Sequence, residues 1–517
     1  VSPASGPEDL APEAGGPRAR PFGRDAPAEG ASAGPEAGED DAAAGPADPA
    51  AFDPALLSAH EQARRIRERE LSATDLLEAC IARIRRHDEA VNAIVTPNPR
   101  ARAEAKAIDG RIAAGEDPGP LAGLVVGIKD VTETAGIRTT YGSTRFTRNV
   151  PEEDALVVTR FREAGAVIAG KTNTPEYAAG GNTWNDVFGA TCNPWDLTRS
   201  AGGSTGGGAA ALATGMISLA QGTDLGGSLR IPASFCGVVG LRPTAGLIPT
   251  YPSNYLWDDL QVTGVMARSA ADISLALKAL AGPTPQSPVA VPPRRRRGET
   301  WAEESDLFQR RFAYCRDIAS IGVDPEVEIV CREAIEVVRS WGVEIDEIDL
   351  DLSYGRDAFL ALRGYWFVAQ LYEGLERIDD YGVNVAANLR AGLEVTSRQL
   401  GAAENTRRRM REQLLGLFDG YAAILTPCMA VPPFMVEENY PREIAGKPME
   451  TYIDWVAPTF LLSLPGVPVA SVPAGLDRDG LPVGLQVVVP PFNEPRALAV
   501  AGAIQAQRPI GFPPIVT

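Results

Sequence analysis

Two short apolar runs limit what this chain can fold into more than any other feature of it. They are Gly123-Leu124-Val125-Val126-Gly127-Ile128 and Ala166-Val167-Ile168-Ala169, with helical spacing from Asp154 to Ala164 between them. Runs of that length without polar alternation read as buried strands, and a strand–helix–strand order within one sheet makes the strands parallel. An α/β core with a largely parallel sheet is therefore expected. Ahead of it, Leu56, Ala59, Ala63 and Ile66, then Ala73 to Ile84, recur at helical spacing, with Ser72 placed to cap the second helix. Later, Arg311 to Cys315 reads as a strand, and Val323 to Trp341 as a helix opened by Asp324-Pro325 and closed by Gly342. Val343 to Leu352 follows as a strand, 397–418 as a charged helix and Ala422 to Thr426 as a buried strand. Val469 to Val489 reads as a hairpin turning at Asp477-Arg478-Asp479-Gly480. Residues 285–305 are Pro-rich and then carry Arg294 to Arg297, a solvated surface linker. Neither half ends in a second flexible boundary, so 51–517 is expected to be one domain sharing one sheet. No internal repeat is present.

Residues 1–50 are almost wholly Ala, Gly, Pro, Ser, Asp and Glu, a composition that cannot bury enough surface to offset its ordering entropy, so this acidic tail is expected to be disordered. It holds ten acidic residues against three arginines, so 3 − 10 = −7 of the formal charge of −18 sits there and −11 elsewhere. That balance argues against nucleic acid and against an anionic membrane, both of which need clustered positive charge. Cys80, Cys192, Cys236, Cys315, Cys331 and Cys428 contain no CxxC pair and suit reduced thiols in a cytoplasmic enzyme. No basic-then-apolar leader opens the chain, although the missing initiator Met leaves room for a segment already removed. The uncharged stretch from Trp455 to Leu476 is long enough to span a bilayer, but Pro458, Pro465, Pro468 and Pro473 would break such a helix.

The densest unusual stretch is Ser200 to Arg230. It holds Ser204 within Gly202-Gly203-Ser204-Thr205-Gly206-Gly207-Gly208 and Ser228 after Gly226-Gly227, with helix-forming Ala209 to Ala213 between. Glycines on both sides of a serine permit tight backbone and close approach of a substrate. The same glycines would also serve as plain turns. Phosphate binding is disfavoured, because the stretch contains no lysine and no GxxxxGK(S/T) pattern. A serine nucleophile needs a base, and the only histidines, His60 and His87, lie in or beside the N-terminal amphipathic helices. That leaves Lys, Asp or Glu. Lysine is rare here (Lys106, Lys129, Lys171, Lys278 and Lys447), and Lys129 ends an apolar strand, where partial desolvation lowers an amine's pKa. The alternative for Lys129 is an ion pair with a carboxylate such as Asp130.

Gly127-Ile128-Lys129-Asp130, Gly202-Gly203-Ser204-Thr205-Gly206-Gly207 and Gly222-Thr223-Asp224-Leu225-Gly226-Gly227-Ser228-Leu229-Arg230 together resemble the amidase signature family. The match continues through Pro232 to Thr244, Leu464-Pro465-Gly466-Val467-Pro468 and Gly480 to Gln486, and runs from roughly residue 55 to the C-terminus. The resemblance implies an α/β/α sandwich around a mixed, twisted sheet, with no metal and no organic cofactor. It also implies Ser228 as nucleophile, Ser204 as bridging serine after a cis peptide, and Lys129 as base. The backbone N–H groups of Leu225, Gly226, Gly227 and Ser228 would form the oxyanion hole. Asp224 and Arg230 would brace that loop as an ion pair, while Thr205 stands where many relatives have Ser and keeps a hydroxyl for a supporting hydrogen bond.

Three activities compete within such a family: an amidase on neutral aryl or apolar amides, a carbamate or ester hydrolase, and the glutamine-hydrolysing subunit of an amidotransferase. Gly180, Gly181, Asn182, Trp184, Tyr251, Trp257 and Trp455 are expected to touch the substrate, and Tyr255, Trp366 and Tyr452 lie in segments that often line the pocket. Together the aromatics favour an apolar or aromatic acyl group. A glutamine enzyme needs a paired acid and base in the pocket; Asp454 lies one position out of step with the expected acid. The partner is then a small-molecule amide or carbamate, for a chain that acts alone or as a homodimer.

Overall fold

The computed structural model describes residues 52–293 and 310–516. The expected disordered tail and the Arg294–Arg297 run lie outside the described residues. Eleven strands form one sheet: β1 Ile94–Pro97, β2 Val125–Lys129, β3 Val167–Thr172, β4 Leu219–Asp224, β5 Val239–Arg242, β6 Val262–Ala267, β7 Arg311–Tyr314, β8 Glu344–Glu347, β9 Ala423–Pro427, β10 Val469–Leu476 and β11 Pro482–Val488. Their order across the sheet is β1-β3-β2-β4-β6-β5-β10-β11-β9-β7-β8, so strands from both sides of the 285–305 segment share it.

The sheet is mixed. Parallel pairing holds along β3–β2–β4 and β9–β7–β8. The first of these contains the strand–helix–strand unit legible in the sequence, with the helix Leu156–Glu163 as its crossover. From β4 through β6, β5, β10 and β11 to β9 every pair is antiparallel, as is β1 on β3. The β10–β11 hairpin closes at Asp477–Gly480, and so short a connection can join only antiparallel neighbours. Val343 to Leu352 is strand only over Glu344–Glu347; beyond it the Ile348 N–H reaches Tyr314 O and the Leu352 N–H reaches Ile318 O, each at 2.9 Å, but β7 has ended and no regular ladder continues.

Helices cover both faces. They are α1 Ala59–Arg67, α2 Ala73–Val91, α3 Ala101–Ala113, α4 Leu156–Glu163, α5 Gly206–Ala213, α6 Arg230–Cys236, α7 Ala270–Leu280, α8 Pro325–Ser340, α9 Arg356–Gln370, α10 Val383–Leu393, α11 Ser397–Phe418, α12 Ala457–Ser463 and α13 Glu494–Gln507. Period-2 alternation divides the core. On one side, Phe312, Tyr314, Ala423 and Leu425 belong to the core that α8 and α13 cover. Ala313 and Ile424 pack on the other with Phe359 of α9, Leu414 of α11 and Phe460 of α12. Ser72 caps α2 as expected, its Oγ accepting the Asp75 N–H at 2.9 Å, and a capping box of Thr396 and Gln399 opens α11. Trp455 to Leu476 contributes a short turn, α12 and β10, all core, and no described helix is long and apolar enough to cross a membrane. No disulfide joins any of the six cysteines among the described residues.

Candidate active site

Lys129 closes β2 and is wholly buried. Because β2 lies parallel to β4, its Nζ meets two hydroxyls, Ser204 Oγ at 2.7 Å and Thr223 Oγ1 at 3.1 Å. Burial pulls the amine down from its ordinary 10.5 to about 7, against the opposing pull of the Asp224 charge. A neutral amine is thus available near pH 7. Asp130 is not its partner: that carboxylate accepts the Thr140 N–H at 3.2 Å and bonds the Thr140 hydroxyl at 2.5 Å. Ser204 sits just before α5, whose N-cap is Thr205, and the Gly203–Ser204 peptide is cis. A Cβ on Gly203 would lie 3.0 Å from Gly180 O, so the loop lies backbone to backbone.

Ser228 lies in the loop between β4 and α6. Asp224, the last residue of β4, organises that loop from below: its carboxylate accepts the N–H of Gly227 at 2.8 Å and of Leu229 at 3.2 Å. Arg230 grips it with two contacts of 3.0 Å, and Arg242 of β5 adds a third cationic contact at 3.3 Å. Burial pushes this carboxyl upward, but the Arg230 and Arg242 charges outweigh burial and hold it well below the usual carboxylate range. Asp224 and Arg230 thus lie as an ion pair; Arg242 had no assigned role, because its partner lies across the sheet rather than nearby in sequence.

The backbone donors differ from the expected set in one respect. Leu225, Gly226 and Ser228 have N–H groups with no acceptor among the described residues, whereas the Gly227 N–H is already committed to Asp224. Glycine is required at 227 for space: φ is +126°, and a Cβ would lie 2.2 Å from Thr459 Oγ1. Thr205 also departs from expectation. Its hydroxyl is buried without a partner, and it joins Ser228 only through its own N–H, 3.2 Å from Ser228 O. Ser228 is half-buried while Ser204 and Lys129 are inaccessible, so the three lie in order from the cleft inward. Lys129 and Ser204 are hydrogen-bonded; Ser204 and Ser228 Oγ are not, although both line the same cleft.

That cleft is tight, with an open volume of about 50 Å³. Of the seven expected substrate contacts only Gly180 reaches it. Gly181 lies under the Trp455 ring, where a Cβ would come within 2.4 Å of it. Trp455 is core, stacked on Phe235 and edge-on to Phe434. Asn182 is a brace, donating to Val436 O and Glu438 O at 2.8 Å each. Trp184 lines a separate cavity beside Glu176 and Asp186. Tyr251 and Trp257 lie on the exposed 251–260 segment, Trp257 being 69% exposed. Tyr255 lines a neighbouring hollow with Trp257.

Trp366 and Tyr452 do line the cleft, as do Phe359, Arg363 and Phe367, which the sequence analysis did not single out. Residues 359, 363, 366 and 367 form one face of α9 at helical spacing, and an arginine inside that apolar stripe was the available signal. Thr223 was legible in the same way, since the alternation of β4 puts it on the face of Gln221, whose Oε1 lies 3.3 Å from Lys129 N. Asp454 turns away from the cleft to Arg356 at 2.8 Å and to Thr451, and Ile453 lines the wall instead. His60 and His87 lie on α1 and α2 and take no part in the cleft lining.

A family model described as Amidase matches residues 75–498. The chain is 35% identical over 484 residues to a glutamyl-tRNA(Gln) amidotransferase subunit from Geobacter metallireducens, covering 87% of this chain and 96% of that one. It is 33% identical over 463 residues to an acylamidase of Rhodococcus erythropolis, covering 88% and 96%. Among solved structures it is similar to a bacterial aryl acylamidase of the amidase signature enzymes, with a TM-score of 0.80, 26% identity, and coverage of 88% of this chain and 96% of that one.

Proposed function

The chain belongs to the amidase signature family, and from that premise we propose that it hydrolyses the C–N bond of aryl or apolar amides through an acyl-enzyme on Ser228. The observation that carries this is Lys129, wholly buried, poised as a neutral amine near pH 7 and 2.7 Å from Ser204 Oγ. Lys129 takes the Ser204 proton while Ser204 takes that of Ser228, and Ser228 Oγ attacks the amide carbon. The carbonyl oxygen, now an anion, is received by the free N–H groups of Leu225, Gly226 and Ser228. The proton held on Lys129 returns through Ser204 to the leaving nitrogen, the C–N bond breaks and the amine departs. Water then attacks the ester under the same base and restores Ser228. The Ser204–Ser228 contact, open in the free protein, closes as substrate draws the loops together.

An apolar substrate is supported by Phe359, Trp366, Phe367, Ile231 and Ile453 around the cleft. Free glutamine fits poorly. Among the described residues no carboxylate lines the cleft to receive its ammonium, and Asp454 is engaged with Arg356. The test is a panel of aryl amides, aliphatic amides, carbamates, esters and glutamine on the purified chain, with its oligomeric state measured alongside. Aryl or apolar amides should be turned over and glutamine left intact. Release of ammonia from glutamine, faster in the presence of a second protein component, would refute the proposal.

A further inference from the structure

Four arginines are buried among the described residues: Arg83, Arg230, Arg242 and Arg363. The first three each hold a carboxylate, Arg83 with Asp53 at 2.7 Å and the other two with Asp224. Arg363 holds none among the described residues. Its guanidinium bonds Asn388 Oδ1 and, at 2.7 Å, the Tyr452 hydroxyl. It lies against the rings of Phe367 and Tyr452, 4.9 and 5.4 Å from their centroids. A cation that is 6% exposed and lacks a counter-ion is costly unless something brings the charge. Among the described residues Arg363 is also the one charged side chain on the wall of the cleft that holds Ser228.

The hydrogen bonds around it fix a second donor. A guanidinium has no acceptor, so the Asn388 amide must turn its oxygen to Arg363 and its nitrogen to Tyr452. The other N–H of Asn388 goes to Asn384 O at 2.6 Å. The Tyr452 oxygen therefore accepts twice, from Arg363 and from Asn388, and both lone pairs are used. Its own proton must be donated elsewhere, no described residue accepts it, and Tyr452 lines the cleft. Beside an uncompensated positive charge, the cleft thus presents a hydroxyl that can only donate.

We propose that Arg363 and Tyr452, held by Asn388, form a subsite for an anionic carboxylate on the substrate, so that the preferred substrate is an amide carrying a carboxylate on its apolar portion and no ammonium. This rests on the amidase reading above and narrows it. The amide that reacts is uncharged, the body of the substrate is apolar, and one end is an acid. The acyl anilides below test the case in which the acid lies on the acyl side. Free glutamine, whose carboxylate comes with an ammonium, is excluded by the missing acid.

The test compares half-anilides of dicarboxylic acids with acyl anilides of the same chain length ending in methyl. A charged hydrogen-bonded contact should favour the best-fitting carboxylated member by roughly 10–100-fold in kcat/KM. Arg363→Met should remove most of that preference, and Arg363→Lys should restore part of it. Tyr452→Phe, which removes the donor hydroxyl together with the acceptor it offers Arg363 and Asn388, should reduce the preference by about tenfold and stands in if Arg363→Met does not fold. Binding is read without turnover from the melting temperature with the free dicarboxylate, which should stabilise the wild type and not the variants. A wild type that prefers the methyl-ended series throughout, or a preference untouched by either substitution, overturns the subsite while leaving the amidase intact. If neither series is cleaved the amidase reading fails, and the melting experiment decides the subsite: selective stabilisation of the wild type upholds it, and equal or absent stabilisation overturns it.

Discussion

Replacing Lys129 by Met keeps the volume of the side chain and deletes the amine that contacts Ser204 and Thr223. The fall of that amine from 10.5 to about 7 is worth roughly 5 kcal/mol against the ammonium, at about 1.4 kcal/mol per pH unit. The folded-state value is depressed, so between about pH 7 and 10.5 the unfolded chain binds a proton that the folded chain has shed, and stability rises with pH across that window. From about pH 7 to about pH 9 this gain amounts to roughly 2 kcal/mol in the wild type and is missing in Lys129→Met. All other titrating groups are common to both proteins and cancel in the comparison. At about 1 °C per kcal/mol for a chain of this length, the wild-type Tm should therefore climb about 2 °C relative to the variant over that interval. Scanning calorimetry at matched ionic strength measures it. In parallel, kcat/KM of the wild type should rise with pH through about 7, and the variant should lose at least about 100-fold, the usual worth of a general base. A melting difference independent of pH together with near-wild-type turnover would refute the buried neutral amine.

Asp224→Asn leaves Arg230 and Arg242 buried with no carboxylate and should cost about 3–5 kcal/mol in chemical denaturation; a loss below about 1 kcal/mol would mean the pair is not needed to hold the Ser228 loop. Gly227→Ala forces a Cβ to 2.2 Å from Thr459 Oγ1 at a φ of +126°, so it should destabilise by roughly 1–3 kcal/mol and depress kcat more than KM. Pairing Gly227→Ala with Thr459→Ser retains the hydroxyl and the clash and should recover nothing, because the φ of +126° is unchanged as well. Unchanged kcat and melting in Gly227→Ala alone would show the contact to be slack.

What the sequence made legible was local. Gly123 to Ile128 had to be a buried strand because nothing polar interrupts it, and the loops around Ser204 and Ser228 announced themselves by glycine. Long-range partners were legible only through resemblance: Lys129 and Ser204 are 75 residues apart, and nothing in either segment names the other. Arg242 was missed for the same reason, since only sheet order brings β5 near the end of β4. The aromatic residues failed most clearly. Trp455 and Trp366 carry the same apolar ring, yet one is sealed between Phe235 and Phe434 and the other faces the cleft. Composition cannot tell a core ring from a pocket ring; the α9 stripe could have, because an arginine at 363 within an apolar helix face has no place in a plain core.

The central claim, a Ser228 nucleophile driven by Lys129 through Ser204, is tested most directly by covalent trapping with a fluorophosphonate. Both serines fall in the tryptic peptide 200–230, so the adduct must be placed within it by fragmentation. One adduct per chain, on Ser228, is expected. It should form faster as pH rises through about 7, be abolished by Ser228→Ala, and be slowed at least about 100-fold by Lys129→Met. An adduct on Ser204, or undiminished labelling in Ser228→Ala, would contradict the assignment.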